Sequence, residues 1–218
     1  MAERFDLIVF DWDGTLMDSA AAIVNAIVAA CLDLGLPVPT QAQARYVIGL
    51  GLVDALRHAV PDLAEGDYPL MVERYRHHFL SGAHELTLFP GVIETLGWLA
   101  DQGRMLGVAT GKSRAGLNLA LESSGVGPYF LSTRCADECF SKPHPAMLLE
   151  IMDELGARPE RTLMVGDTTH DLLMAKNAGV ASLAVSFGAH PVEVLVAAEP
   201  LACVNTPAEL GRWLRQNV

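Results

Sequence analysis

The chain has 218 residues, of which 51% are hydrophobic and 19% charged, a composition typical of a globular protein. This length suits one large domain, or one domain that carries an inserted module. The formal net charge of -11 argues against nucleic-acid and anionic-membrane partners, because both are bound through clustered Lys and Arg.

The cysteines and histidines indicate no structural metal site. The four cysteines contain no C-x-x-C pair and the seven histidines show no paired ligand spacing, so we expect reduced thiols and no structural zinc. The first apolar run has only the length of a strand, which predicts neither a signal peptide nor a membrane span. We therefore expect a cytoplasmic protein, and the pattern does not indicate its oligomeric state.

The first predicted element is a short strand that ends in two carboxylates. Residues 7–10 form an apolar run, and Asp11, Asp13, Gly14 and Thr15 cannot extend that run as a strand. In open α/β sheets, ligands bind outside the carboxyl ends of the strands. Taken alone, the segment fits a ligand site and an acidic, solvent-exposed turn equally well.

The next stretch, residues 17–88, has the pattern of helices alone. Apolar residues recur there at helical spacing, and Thr40 and Gln43 have the form of a capping box at the start of one helix. This helical block separates the first strand from the next one. We therefore predict an all-α cap domain at residues 17–88, inserted into an α/β core of residues 1–16 and 89–218.

From residue 89 onward, predicted helices and strands alternate. Further strands are predicted over residues 105–109, 129–133, 162–165 and 182–186, and a closing helix over residues 207–216. Strands that alternate with helices pair in parallel through right-handed crossovers. The predicted fold class is therefore α/β, with a doubly wound parallel sheet.

Acidic side chains follow two of these strands and are expected to meet at one edge of the sheet. Asp11 and Asp13 follow the first strand, and Asp167 follows the strand predicted at residues 162–165. Converging carboxylates repel one another and raise each other's pKa values, and a divalent cation relieves that repulsion. We predict Mg²⁺, bound by Asp11, Asp167 and a backbone carbonyl, because oxygen ligands suit this ion.

An anion pocket is predicted beside this metal site. Thr110 and Gly111 follow the second strand, and Lys142 precedes a later helix. A hydroxyl, backbone N–H groups and an ammonium together suit a phosphate group. The carboxylates and this pocket therefore indicate metal-assisted chemistry on a phosphorylated substrate.

Four motifs in this order resemble those of the haloacid dehalogenase (HAD) superfamily. They are Asp11-Trp-Asp13-Gly14-Thr15, Thr110-Gly111, Lys142-Pro143 and Gly166-Asp167-Thr-Thr-His-Asp171. The resemblance covers the whole chain, and the helical cap makes it most similar to the phosphoglycolate phosphatase-like branch. It implies a Rossmann-like core and a hydrolase acting on phosphoric monoesters.

The resemblance also implies a role for each motif carboxylate. Asp11 would be the nucleophile that becomes an aspartyl phosphate, and Asp13 would be the general acid and base. The metal ligands would be Asp11, Asp167 and the backbone carbonyl of Asp13.

The remaining motif residues would bind the phosphate or support the site. The resemblance implies that Thr110 and Gly111 hold the phosphoryl oxygens, and that Lys142 balances charge and orients the nucleophile. Asp171 and Thr15 would not contact the phosphate but would orient the residues that do.

Two alternative functions remain open. Asp13 argues against a haloacid dehalogenase, and the lack of Lys in residues 17–88 argues against a phosphonatase. A sugar phosphomutase of the β-phosphoglucomutase type stays possible. Thr15 slightly favours a phosphatase over this phosphomutase. A more distant alternative is a non-enzymatic, receiver-like signalling protein.

The substrate is expected to be a small phosphorylated metabolite, and the resemblance makes 2-phosphoglycolate the first guess. The Gly49-Leu50-Gly51 turn of the cap is a candidate for the mouth of the site. Arg45 is the accompanying candidate for contact with a second anionic group, with Tyr46 and Arg57 nearby in sequence. For each of these cap residues, the sequence favours a solvated helix position over contact with the substrate.

Overall fold

The computed structural model describes residues 5–82 and 86–218, which contain a six-stranded, wholly parallel sheet. The strands are β1 (Leu7–Phe10), β2 (Met105–Thr110), β3 (Ser132–Cys135), β4 (Thr162–Gly166), β5 (Ala181–Val185) and β6 (Cys203–Val204). Their order across the sheet is β3-β2-β1-β4-β5-β6, so the chain winds outward from β1 in both directions. The predicted doubly wound α/β class is confirmed.

Ten α-helices accompany the strands in the described ranges. They are α1 (Ala20–Asp33), α2 (Gln41–Tyr46), α3 (Leu52–Ala59), α4 (Tyr68–Ser81), α5 (Val92–Asp101), α6 (Arg114–Ser124), α7 (Ala146–Leu155), α8 (Thr169–Asn177), α9 (Val192–Ala197) and α10 (Pro207–Asn217). The Thr40 and Gln43 capping box is present at α2. In the portion of the chain that is described, none of the helices is long and apolar enough to cross a membrane.

Three elements differ from the sequence prediction. The strand predicted over residues 129–133 begins later, at Ser132, because Pro128 lies at the start of a 3-10 turn over Gly127–Tyr129. Helix α9 and strand β6 were not predicted, since their six and two residues are too short for a periodic pattern.

Both faces of the sheet are buried under helices. Along β1, Ile8 and Phe10 point into one apolar cluster, and Leu7 and Val9 point into another, as the two-residue period of a strand requires. The first cluster includes residues of α5, α6 and α10, and the second includes residues of α7 and α8. Burial on both faces explains why β1 reads as a continuous apolar run.

The helical segment has an apolar cluster of its own. Residues of α1 to α4 pack together around Ile27, Leu56 and Met71, and Ala189 is the one described residue from outside the segment that is buried in this cluster. We propose that residues 17–88 form the cap domain and that residues 1–16 and 89–218 form the core. Residues 1–4 and 83–85 of these two units lie outside the described ranges.

The chain enters and leaves the cap through two neighbouring links. The Asp18 N–H donates to the Thr87 carbonyl at 3.0 Å, and the Phe89 N–H donates to the Leu16 carbonyl at 2.9 Å. Met17 also pairs with Leu88 in an isolated antiparallel bridge. The cap is therefore joined to the core by a short two-stranded connection.

A core truncation tests whether the cap is a separate unit. Leu56→Ala removes a fully buried side chain of the cap cluster and should cost about 2–5 kcal/mol of cap stability. Hydrogen exchange should quicken in α1 to α4 and stay slow in β1 and β4. The matched variant Leu99→Ala lies in the sheet cluster and should quicken exchange in the strands instead. Equal acceleration of both regions by Leu56→Ala would contradict a separate cap.

Candidate active site

The motif residues meet at the carboxyl ends of the three central strands. Asp11 follows β1, Thr110 ends β2, and Asp167 follows β4. Both β2 and β4 pair with β1 in parallel, so these strand ends lie side by side. Because the strand order reverses at β1, this is the place where open α/β sheets bind ligands.

A buried ammonium joins two of the site carboxylates. Lys142 Nζ lies 2.7 Å from Asp11 Oδ1 and 2.6 Å from Asp171 Oδ1, and all three side chains are excluded from solvent. Burial alone would lower the pKa of Lys142, but the charges of Asp11 and Asp171 outweigh burial and raise that pKa. Lys142 therefore stays charged and fixes the orientation of Asp11.

Three carboxylates converge beside this ammonium. Asp11, Asp167 and Asp171 each offer an oxygen within 4.8 Å of the others, which is close enough to hold a metal ion. Burial, followed by the charge of Asp171, raises the pKa of Asp167 to about 7. Burial also raises the pKa of Asp11, and the charges of Asp171 and Asp167 add to this effect. The single positive charge of Lys142 does not balance the negative charges of the three carboxylates when all are ionised.

The carboxylates differ in how many hydrogen-bond partners their oxygens have. Asp171 accepts from Lys142 through Oδ1, and from the Thr168 hydroxyl at 2.7 Å through Oδ2. Asp11 Oδ2 is buried and has no hydrogen-bond donor among the described residues. An unpartnered buried carboxylate oxygen favours a cation or substrate group at that atom. The all-oxygen donor set therefore fits a hard divalent cation such as Mg²⁺.

Asp167 is held tightly from two sides. The Thr15 hydroxyl donates to its Oδ1 at 2.9 Å, and the Ala189 N–H donates to its Oδ2 at 2.7 Å. A Cβ atom added to Gly14 or to Gly188 would lie 2.2 Å from the same Oδ2 atom. Gly14 also has φ +81, which favours glycine for a second reason. The backbone at Gly14 and Gly188 therefore lies in direct contact with the Asp167 carboxylate.

Asp13 lies outside the three-carboxylate group and has its own partners. The Ser19 hydroxyl donates to Asp13 Oδ1 at 2.6 Å, and Lys112 Nζ lies 3.1 Å from Oδ2. Sequence reasoning missed both partners. Lys112 had a usable signal, since it follows Thr110-Gly111 directly and is one of only three lysines.

Thr110 keeps a hydrogen that it can donate. Its side-chain oxygen is buried and accepts from the Lys112 N–H at 3.2 Å, and its hydroxyl hydrogen has no acceptor among the residues described. Thr110 therefore has a hydroxyl hydrogen that it can donate to an anionic oxygen.

The predicted cap turn lies directly on the core. A Cβ atom added to Gly111 would lie 2.3 Å from the Leu50 carbonyl oxygen, and one added to Gly49 would lie 3.8 Å from Asp11 Oδ2. The Gly51 N–H donates to the Ser141 hydroxyl at 2.9 Å. The structure thus brings Gly49 and Gly51 over the site, in contact with the core.

The other cap candidates contact the core away from the nucleophile. Arg45 donates through Nη2 to the Gly188 carbonyl at 3.0 Å, and the Tyr46 carbonyl contacts Nε2 of His170 at 2.8 Å and of His190 at 3.0 Å. Burial lowers the pKa of both histidines. Sequence reasoning missed these histidines because their partner, the Tyr46 carbonyl, lies more than a hundred residues away in the chain. Arg45 and Tyr46 therefore join the cap to the core.

Comparison with known proteins identifies the family. Residues 8–185 match the family described as Haloacid dehalogenase-like hydrolase. Over 210 residues the chain is 41% identical to the "Probable phosphatase IndB" of Dickeya dadantii, covering 94% of this chain and 91% of that protein. It is 33% identical to a phosphoglycolate phosphatase of Agrobacterium fabrum, covering 94% and 90% of the two chains.

A solved structure shows the same fold. The predicted phosphoglycolate phosphatase from Haemophilus somnus 129pt matches with a TM-score of 0.87 at 26% identity, covering 98% of this chain and 100% of that one. The chain belongs to the haloacid dehalogenase-like hydrolase family, as its four motifs predict. Within that family it is an enzyme of the phosphatase type, which excludes the receiver-like alternative.

The site predicts that Mg²⁺ binding weakens as the pH falls. Below pH 7 the metal must displace a proton, because the pKa of Asp167 is raised to about 7. The apparent affinity should fall about tenfold per pH unit for each proton displaced. Calorimetric titration with Mg²⁺ at pH 8 and pH 6 measures this change.

The same shift affects the stability of the metal-free protein. A raised folded-state pKa means that stability is lost as the pH rises from the usual Asp range toward 7, and bound Mg²⁺ should restore it. The control Asp167→Asn should abolish the Mg²⁺ effect. Equal Mg²⁺ affinity at pH 6 and pH 8 would contradict a site built on these carboxylates.

Proposed function

We propose that the protein is a Mg²⁺-dependent phosphomonoesterase that works through an aspartyl-phosphate intermediate on Asp11. The observation that carries this proposal is the state of that carboxylate. One oxygen is fixed by Lys142, and the other is buried beneath the cap turn with no donor among the described residues. This arrangement suits a nucleophile that is oriented but still available.

The first step is phosphoryl transfer to Asp11. A carboxylate oxygen of Asp11 forms a bond to phosphorus while the bond from phosphorus to the ester oxygen breaks. Asp13 gives a proton to the departing alkoxide. Ser19 and Lys112 hold Asp13 in position for this transfer.

The second step is hydrolysis of the acyl phosphate. Asp13, now deprotonated, takes a proton from water, and the water oxygen attacks phosphorus. The bond from phosphorus to Asp11 breaks, which releases inorganic phosphate and restores the carboxylate. Splitting one displacement into two lets the same pair of residues serve both steps.

Charge stabilisation comes from the residues around the phosphoryl group. Thr110 and the Gly111 N–H would donate to its oxygens, and Lys142 keeps the charge of Asp11 balanced. Bound Mg²⁺, held by Asp11, Asp167 and the Asp13 backbone carbonyl, would neutralise charge on the phosphoryl oxygens. In-line phosphoryl transfer depends mainly on such positioning and charge stabilisation.

The proposed substrate class is a small phosphorylated metabolite. 2-Phosphoglycolate is the first compound to assay, because several relatives carry the name phosphoglycolate phosphatase. The same nucleophile would also serve a phosphomutase, which returns the phosphoryl group to a second hydroxyl. Release of inorganic phosphate separates the two activities.

The proposal predicts that Asp11 is indispensable. Purified protein should release phosphate from p-nitrophenyl phosphate only with Mg²⁺, and Asp11→Asn should lower kcat by at least about 10³-fold because the nucleophile is lost. The matched control is Asp18→Asn, an exposed carboxylate in the same segment, which should change kcat less than about twofold. An Asp11→Asn variant with unchanged activity would overturn the proposal.

A further inference from the structure

The structure contains a large cavity between the cap and the core. Its volume is about 1060 Å³, and Asp13, Gly111 and Lys112 belong to its wall. The cavity therefore opens onto the site where the phosphoryl group is transferred. On the proposed phosphatase function, the group that fills the cavity is the alcohol part of the phosphate ester, which is the leaving group.

The cavity is far larger than the glycolate part of 2-phosphoglycolate. Ligand pockets that enclose drug-sized molecules measure about 300–1,000 Å³. Since one water occupies about 30 Å³ of liquid, the cavity holds on the order of thirty waters. A leaving group of two carbons would leave most of this space filled with water.

The wall of the cavity is mainly apolar, with side chains from both domains. The cap contributes Met17, Ile23, Ile27 and Phe79, and the core contributes Trp12 and Leu119. Water against such a wall is unfavourable, so an apolar leaving group gains binding energy by displacing it. The wall thus selects for apolar surface on the substrate.

The cations near the cavity do not form a clamp for a carboxylate. Lys112 is already paired with Asp13, and Arg45 and Arg57 are absent from the wall. Arg57 instead pairs with Glu65 at 3.1 Å. Arg76 is the cation of the described wall that has no ion pair among the described residues. Among the cations of the described wall, Arg76 is therefore the one available to a second anionic group.

Two aromatic side chains of α4 add polarity and shape to the apolar wall. The rings of Tyr75 and Phe79 stack at 5.8 Å with an interplanar angle of 11°. The Tyr75 hydroxyl has no hydrogen-bond partner among the described residues, so it can meet one polar substituent. Stacked rings favour a flat, apolar group beside them.

We propose that the substrate is a phosphate monoester whose alcohol carries a bulky, largely apolar group such as an aromatic ring. The phosphate lies on the Asp11 side and the apolar group fills the cavity between Phe79 and the core. This class differs from 2-phosphoglycolate in size and in charge.

A series of alkyl phosphates with matched leaving groups tests this. Ethyl phosphate and 3-phenylpropyl phosphate both release a primary alkoxide, so their intrinsic reactivities are similar. We expect kcat/KM for 3-phenylpropyl phosphate to exceed that for ethyl phosphate and for 2-phosphoglycolate by at least about tenfold, because each buried methylene contributes. Equal or higher kcat/KM for ethyl phosphate or 2-phosphoglycolate would overturn the inference.

Substitution of Phe79, with Phe140 as the control, tests whether the apolar group binds in the cavity. Phe79→Ala should lower the ratio of kcat/KM values, 3-phenylpropyl over ethyl, by about tenfold, and the exposed control Phe140→Ala should leave that ratio unchanged. An unchanged ratio in Phe79→Ala would count against the cavity as the binding site.

The outcomes also separate this inference from the proposed function. Hydrolysis that favours 2-phosphoglycolate and is lost in Arg76→Ala would overturn the apolar substrate but keep the phosphomonoesterase. No Mg²⁺-dependent hydrolysis of any ester by the wild-type protein would overturn both.

Discussion

The buried contact between Lys142 and two aspartates is the constraint on which the site depends. Ions taken out of water are costly unless their partners compensate, and here one ammonium at 2.7 Å and 2.6 Å serves Asp11 and Asp171. Asp167 adds a third carboxylate, and no second ammonium of the described residues pairs with this group. The residual negative charge favours a cation at the site. Charge balance therefore links the fold of the metal-free protein to the chemistry that it is proposed to perform.

The same small region connects the chemistry to the cap. The Met17 N–H donates to the Trp12 carbonyl at 2.9 Å, and Met17 pairs with Leu88 on the returning link. Ser19, at the start of α1, holds Asp13. A change in the angle of the links would therefore shift the Asp13 side chain. The links to the cap and the position of Asp13, the proposed acid and base, therefore depend on the same short segment.

Local patterns in the sequence were enough to predict most of the fold and to predict which strand-end residues lie together in the candidate site. Asp11, Thr110 and Asp167 each follow an apolar strand, and parallel pairing brings strand ends together whatever the details of packing. Lys112 and Ser19 were missed as partners of Asp13, because a side-chain contact between separate segments leaves no periodic signal. Arg45 was placed at the mouth of the site from proximity in sequence, whereas its guanidinium contacts backbone carbonyls of the core. The size of the cavity depends on how two domains meet, which no local pattern encodes.

The most direct test of the account is chemical trapping of the intermediate on Asp11. Wild-type protein turning over a phosphate monoester with Mg²⁺ is quenched in acid and reduced with borohydride, which converts an aspartyl phosphate into homoserine. We expect homoserine at position 11 in the peptide mass spectrum, with Asp13 unmodified. Full phosphate release with no modification at position 11, or with modification at another residue, would contradict it.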